Sequence, residues 1–212
     1  SGPTGGVVAT REVARELGLA RAVTLDMGGT STDCSTVVDG KISFTTDFEI
    51  EFGLPIQIPM IDIRTIGAGG GSIAWIDKGG MLRVGPESAG ANPGPACYGF
   101  GGDRPTVTDA NLVLGRINPA NFLGGGMALA LDRATEALAR VAVPLGMRTD
   151  ELALAILRIV NNNMVGALRT VLLERGLDPR EFALFAFGAA GPLHLSELLD
   201  EIPVEVHDDL PE

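Results

Sequence analysis

Positive charge is scarce. Lysine and arginine together number 16 against 27 aspartates and glutamates, for a formal net charge of −11. The basic face that nucleic-acid binding requires is missing. Lysine is confined to Lys41 and Lys78, and neither stands in the Gly-Lys-Ser/Thr setting of a P-loop. An acidic chain does not gather phosphate by its overall field. Any phosphate binding must therefore be local, through backbone donors and a metal. The 2 cysteines, Cys34 and Cys97, are far apart and lack Cys-x-x-Cys spacing. That excludes a disulfide framework and fits a reducing, cytoplasmic compartment. No run of about 18 apolar residues reads as a membrane span, and no signal peptide opens the chain. The chain starts Ser1-Gly2-Pro3 without methionine, and reads as a piece of something longer. Aromatic residues are only 5%, with a single tryptophan, Trp75, read as core.

Apolar residues make up 45% of the 212, enough for a sizeable core in one large domain or two small ones. The 29 glycines cluster in loops without a period, which points to tight turns and close backbone approaches.

The stretch Ala22–Val38, AVTLDMGGTSTDCSTVV, organises the rest. Two β-prone runs flank a glycine pair, and Asp26 and Asp33 bracket Gly28, Gly29, Thr30, Ser31 and Thr32. The pattern reads as strand, tight loop, strand. Glycine lets the backbone approach a ligand and adopt positive φ, and bare N–H groups can converge on phosphate oxygens. Two acids beside a phosphate suit a divalent cation or a reacting water. A plain β-hairpin with a glycine turn fits the same pattern.

Around it, helical spacing predicts a helix over Val7–Leu17, after a turn-forming entry at residues 1–6. Asp39-Gly40 reads as a hairpin turn, and residues 46–66 as strands interrupted at Pro55 and Pro59. A Gly67–Ser72 run precedes a second hairpin, Ile73–Ile76 with Met81–Val84. Residues 85–105 are dense in glycine and proline and suit a functional or interfacial loop. Helices are predicted over Thr106–Ile117, Leu131–Val143 and Thr149–Arg175, the last capped by Thr149 or Asp150 and ended by Gly176. Asn161, Asn162 and Asn163 read as a solvated face with one buried, bonded member. Ala183–Phe187 reads as a buried strand, Gly188–Gly191 as a tight loop and Pro192–Leu199 as a helix with proline in its first turn. Val204 and Val206 suggest a last strand. The order implies an α/β fold with a mixed sheet and ligands beyond the strand ends.

A Walker A motif is absent, and a Rossmann GxGxxG fails at Gly67, Gly69 and Ser72. The remaining pair of loops is Asp26–Asp33 and Phe187–His194, FGAAGPLH, whose backbone donors precede a helix. In this order they resemble the second lobe of the actin-like ATPase (ribonuclease H-like) fold. A closer resemblance rests on SGPTGGV (Ser1–Val7), DMGGTSTD (Asp26–Asp33), TIGAGGGSIAW (Thr65–Trp75), VGPESAGANPGPACYG (Val84–Gly99), PTVTDANLVLGRI (Pro105–Ile117) and FGAAGPLH. These blocks resemble the hydantoinase A / 5-oxoprolinase family, up to about Leu199. Ala189 stands where the family usually has glycine.

The resemblance implies an ATP-dependent enzyme, with Mg²⁺ or another divalent metal, that opens a cyclic amide such as hydantoin or 5-oxoproline. The carbonyl oxygen is phosphorylated first. Asp26 and Asp33 are the implied catalytic residues, with Asp26 on the Mg²⁺. Gly28, Gly29, Thr30, Ser31, Gly188, Ala189, Gly191 and Pro192 are the implied nucleotide contacts. A subunit of an ATP-dependent acetone- or acetophenone-type carboxylase is an alternative, as is a non-catalytic nucleotide-binding or interaction domain. The family's first lobe, with its own Asp-Gly-Gly-Thr hairpin, is not in this sequence. Little activity is therefore expected from the chain alone, and the expected partners are that lobe, a hydantoinase B-type protein and further copies in an oligomer. Gly69, Gly70 and Gly71 are either a packing hinge or a substrate-facing nest. Asp109 is a helix-start residue or a substrate contact. Cys97 is a packing thiol or a metal ligand, and His194 is bonded to nearby backbone or serves as a metal ligand or acid/base group. Arg64 and Arg104 are solvated or bind an anion.

Overall fold

The computed structural model describes residues 2–45, 48–50, 54–56 and 59–204. Its centre is a mixed sheet of order β11-β1-β2-β3, with β8 also paired to β2. Strand β1 is Arg21–Met27, β2 Thr32–Val38, β3 Lys41–Ile42, β8 Arg64–Ile66 and β11 Ala183–Phe187. β1 runs antiparallel to β2 and parallel to β11. Between β3 and β8 lie two short antiparallel pairs, β4 (Phe44–Thr45) with β7 (Met60–Ile61) and β5 (Phe48–Ile50) with β6 (Leu54–Ile56). A separate hairpin joins β9 (Ser72–Ile76) to β10 (Leu82–Ser88).

Alternation along β1 decides what each face meets. Val23, Leu25 and Met27 are fully buried in the main core, with helices α2 (Val107–Val113), α3 (Leu131–Ala142) and α4 (Thr149–Leu173). Ala22 and Val37 face the other way, against Val7 and Ala14 of α1 (Gly2–Glu16). The stripe Leu157, Val160, Met164, Leu168 and Leu172 makes α4 the spine of the main core. Helix α5 (Leu195–Glu201) closes the described chain and buries Leu198.

The structure corrects several expectations. Helix α1 begins at Gly2 rather than Val7, because Pro3 is tolerated in a first turn and Gly6 leaves room for the Phe187 ring, with which a side chain would collide. Helix α2 is shorter than Thr106–Ile117, since the chain turns at Leu114 and Gly115 (φ 74°). Arg148, not Thr149 or Asp150, holds the cap position of α4, and its N–H donates to Glu151. Pro192 is the second residue of a 3₁₀ turn, Gly191–His194, and the α-helix starts only at Leu195. Strand β11 is half-buried beyond Ala183 because it is a sheet edge. Trp75 is 39% exposed rather than core, with its indole N–H donating to Gly85 O at 2.9 Å. Arg64 and Arg104 pair with Glu174 and Glu87. Val204 is not in a strand, and Val206 lies outside the described residues. An apolar groove of about 440 Å³ runs between α1, β11 and α5.

Candidate functional site

The β1–β2 connection is the tight turn the sequence suggests. Gly28 N–H donates to Ser31 O at 2.9 Å and closes it. The N–H groups of Gly29, Thr30 and Ser31 have no acceptor among the described residues. The carbonyls are committed instead: Gly70 N–H donates to Gly28 O at 3.0 Å, and Gly71 N–H to Gly29 O at 2.6 Å. Residues 69–71 thus form a strap across the turn. A Cβ on Gly69 would lie 2.6 Å from the carbonyl carbon of Thr30, and one on Gly71 2.9 Å from Gly29 O. That steric demand explains the glycine run as close packing on the turn. Gly70 and Gly71 also face the adjoining cleft. With the Gly28, Gly29 and Ser31 carbonyls used and three N–H donors free, the turn has the donor arrangement that a backbone anion site requires.

The late loop docks beside it. Ala190 N–H donates to Met27 O at 3.0 Å. Gly188 has φ 81°, and a Cβ there would lie 2.5 Å from both Asp26 Oδ1 and Met27 O, so both conformation and space demand glycine. The loop, turn and strap enclose a cleft of about 320 Å³. Of the expected residues, Gly28, Gly29, Gly70, Gly71, Ala189 and Pro192 line it. Gly69 and Gly191 pack beneath, and Thr30 stands exposed at the tip of the turn.

Sequence reasoning missed the rest of the wall: Thr108, Asn111 and Arg116 as polar members, and Tyr98, Ile117 and Phe122 as apolar ones. The Tyr98 and Phe122 rings meet at a tilt of 42°, with 5.7 Å between centroids. Tyr98, Thr108, Asn111, Arg116 and Ile117 sit in the Val84–Gly99 and Pro105–Ile117 blocks, so the signal was present as motif but carried no chemistry by spacing.

Asp26 and Asp33 are directly opposed across β1 and β2. By alternation they lie on the α1 face, and they do not line the cleft. Partial burial raises the Asp26 pKa above the ordinary carboxylate value, and the neighbouring Asp33 charge adds to it. Asp33 accepts from Thr65 Oγ1. The Asp26 carboxylate abuts Gly188, so it sits where hairpin and late loop meet. Two adjacent carboxylates of like charge are a donor set suited to a divalent cation that takes its remaining ligands from phosphate and water.

His194 is fully buried. Its partners are side chains, not backbone: Nδ1 lies 2.7 Å from Asn161 Oδ1, and Nε2 lies 3.5 Å from Asn111 Nδ2. That pattern assigns the proton to Nδ1 and the acceptor role to Nε2. Burial lowers the His194 pKa to about 4, with the nearby Glu197 opposing and Arg116 reinforcing the shift. The imidazole is neutral at pH 7. Asn161 is the one buried member of its asparagine run, and it also donates to Glu197, which Arg116 grips. Asn111 Oδ1 is a buried acceptor without a partner among the described residues.

Asp109 does not line the cleft. It forms a capping box with Thr106 and accepts from the N–H groups of Ala96 (3.2 Å), Cys97 (2.8 Å) and Thr106 (2.9 Å). It therefore holds the loop that carries Tyr98. Cys97 is buried among Leu112, Leu129 and Ala134, and burial raises its pKa. Among the described residues no three His, Cys, Asp or Glu side chains gather into a metal site.

A mixed sheet with flanking helices, and glycine turns closing a cleft beyond its strand ends, define a domain of the α/β class. The Hydantoinase/oxoprolinase family model matches residues 1–207, past the Leu199 at which the motifs stop. The chain belongs to the hydantoinase/oxoprolinase family. It is 46% identical to the caprolactamase alpha subunit of Pseudomonas jessenii, over 97% of this chain and 30% of that protein. The acetophenone carboxylase gamma subunit of Aromatoleum aromaticum is 42% identical, over 97% and 28%. Among solved structures, nucleotide-free acetone carboxylase superposes with a TM-score of 0.89 at 30% identity, covering 96% of this chain and 29% of that one. The ATP-dependent caprolactamase structure gives 0.83 at 44% identity, covering 94% and 29%. The chain thus spans about a third or less of the length of these relatives.

Proposed function

We propose that this chain is the nucleotide-holding second lobe of an ATP-dependent enzyme that activates a carbonyl oxygen by phosphoryl transfer and opens a cyclic amide. The carrying observation is the Gly28–Ser31 turn, whose Gly28 and Gly29 carbonyls are tied by the strap while the N–H groups of Gly29, Thr30 and Ser31 stay free among the described residues. Both solved relatives, acetone carboxylase and caprolactamase, are ATP-dependent enzymes.

A lactam carbonyl is a poor electrophile. Transfer of the γ-phosphoryl group to its oxygen releases ADP and creates a leaving group. Water then adds to the carbon, the C–N bond breaks as the nitrogen takes a proton, and a second water hydrolyses the resulting acyl phosphate to carboxylate and phosphate. Such chemistry needs positioning and charge neutralisation more than covalent catalysis. The free amides of Gly29, Thr30 and Ser31 hold phosphate oxygens, and the Thr30 and Ser31 hydroxyls add donors. Gly188, Ala189, Gly191 and Pro192 flank the nucleoside, and Tyr98, Ile117 and Phe122 offer apolar surface to the base. Asp26 and Asp33 stand on the far side of the turn, towards the reacting end. A magnesium ion held by Asp26, with Asp33 as second ligand, would neutralise charge on the transferred group.

A domain clamping nucleotide between two lobes needs its opposite jaw, and the reading assigns that jaw to a first lobe outside this chain. A partner of the hydantoinase B type and a higher oligomer complete the reading. The TM-score of 0.89 to acetone carboxylase favours one second reading, a subunit of an ATP-dependent ketone carboxylase. ATP turnover by the full polypeptide with hydantoin, 5-oxoproline, caprolactam, or ketone plus bicarbonate separates the two. Asp33→Asn should lower turnover about a hundredfold while MgADP affinity changes less than threefold. Equal losses in both would contradict a transition-state role. Failure of the unaltered polypeptide to bind MgADP would remove the nucleotide reading altogether.

A further inference from the structure

Helix α2 has only seven residues, yet its polar side chains turn inward: Thr108, Asp109 and Asn111 are all buried. Each reaches a different wall of the cleft. Asp109 ties the loop at Ala96 and Cys97, Asn111 meets His194 of the late loop, and Thr108 meets the strap.

The Thr108 contact is doubled. Its amide and its hydroxyl both donate to Gly70 O at 2.8 Å. The amide of Gly70 in turn donates to Gly28 O at 3.0 Å. The Gly70 carbonyl shares its peptide plane with the Gly71 amide, which donates to Gly29 O at 2.6 Å, so a path of hydrogen bonds runs from α2 through one peptide of the strap to the turn. Gly70 has no side chain to anchor it, and a Cβ there would lie 2.9 Å from Thr108 Oγ1. One hydrogen bond leaves a peptide free to rock about it, whereas two donors on one carbonyl fix its plane.

We propose that Thr108 is a positioning residue for the Gly28–Ser31 turn. Its hydroxyl sets the plane of the Gly69–Gly70–Gly71 strap, which holds the Gly28 and Gly29 carbonyls and so aims the free amides of Gly29, Thr30 and Ser31. The positional claim stands on the hydrogen bonds. Its consequence for affinity rests on the reading that those amides bind phosphate.

The test compares Thr108→Val, which keeps the shape and removes the donor, with Thr108→Ser, which restores it, in the full polypeptide. Thr108→Ala repeats the loss of the donor without the branched side chain, should valine prevent folding. Hydrogen–deuterium exchange is followed at Gly70 and Gly71 without nucleotide, and MgADP affinity by calorimetry. Losing one hydrogen bond of ordinary strength predicts exchange about three- to tenfold faster at Gly70 and Gly71 in the valine and alanine variants. Exchange in α4 stays unchanged, MgADP binds several-fold more weakly, and Thr108→Ser behaves like the unaltered protein. Unchanged exchange at Gly70 overturns the proposal, even if affinity falls, because the hydroxyl would then touch the ligand directly. Acceleration spread equally through α4 also overturns it, as does a serine variant that behaves like valine. If the unaltered protein binds no MgADP, the nucleotide reading fails, while exchange at Gly70 still decides the role of Thr108.

Discussion

Gly69→Ala puts a single methyl group where the strap meets the turn. The new Cβ would lie 2.6 Å from Thr30 C and 2.7 Å from Gly29 C and O. Ordinary carbon contacts are about 3.5–4 Å, so strap and turn must separate by about 1 Å. The neighbours are backbone atoms and cannot swing away as a side chain end would. Overpacking of this kind costs about 1–3 kcal/mol, which a domain with a core this size survives. The functional loss should be disproportionate, because a displacement of about 1 Å in a positioning element can cost about a hundredfold in rate. Turnover of ATP in the full polypeptide, melting temperature and MgADP affinity together read the effect. Gly5→Ala is the control: its Cβ meets nothing within 4 Å, and in helix α1 alanine should stabilise by up to about 1 kcal/mol. Turnover by Gly69→Ala within threefold of the unaltered protein, in a folded sample, would refute the argument that the strap sets the turn.

Two further outcomes follow from the buried polar groups. The fold holds His194 neutral with its pKa near 4, while the unfolded chain takes up a proton near 6.5. Stability should therefore fall as pH drops from about 6.5 to about 4, by up to about 3 kcal/mol, and level off below. His194→Gln should flatten that slope in urea titrations at stepped pH, and an identical slope in both proteins would disprove the assignment. Asp109→Asn turns an NH₂ group either towards the N–H of Cys97 or towards those of Ala96 and Thr106, because the two carboxylate oxygens divide these donors. It should cost about 3 kcal/mol, close to 10 °C in melting temperature at this size, and a change below 3 °C would contradict the pinning role.

The sequence made the strand–turn–strand legible, because two β-prone runs around Gly28-Gly29 leave few alternatives. Thr106 and Asp109 were equally readable as a helix start, since a capping box is local. What the sequence hid is tertiary. Glycine carries no pattern, so nothing in Gly69–Gly71 announces packing against a turn some forty residues earlier. Asp109 reads as a cap, but its other two amide partners come from a loop that only folding brings near. Strand β11 has a fully apolar composition, and its half-exposure follows from edge position alone. The expected site also divided. The glycines converged on the cleft, while Asp26 and Asp33 took the α1 face with Ala22 and Val37, because successive residues of a strand point to opposite faces.

The most direct test of the nucleotide reading is a footprint of MgADP on the full polypeptide by hydrogen–deuterium exchange. The account predicts protection at Gly29–Ser31, at Gly70 and Gly71 and at Ala189–Leu193, with no change in the groove between α1 and β11. An unprotected Gly29–Ser31 turn, or protection confined to that groove, would contradict it.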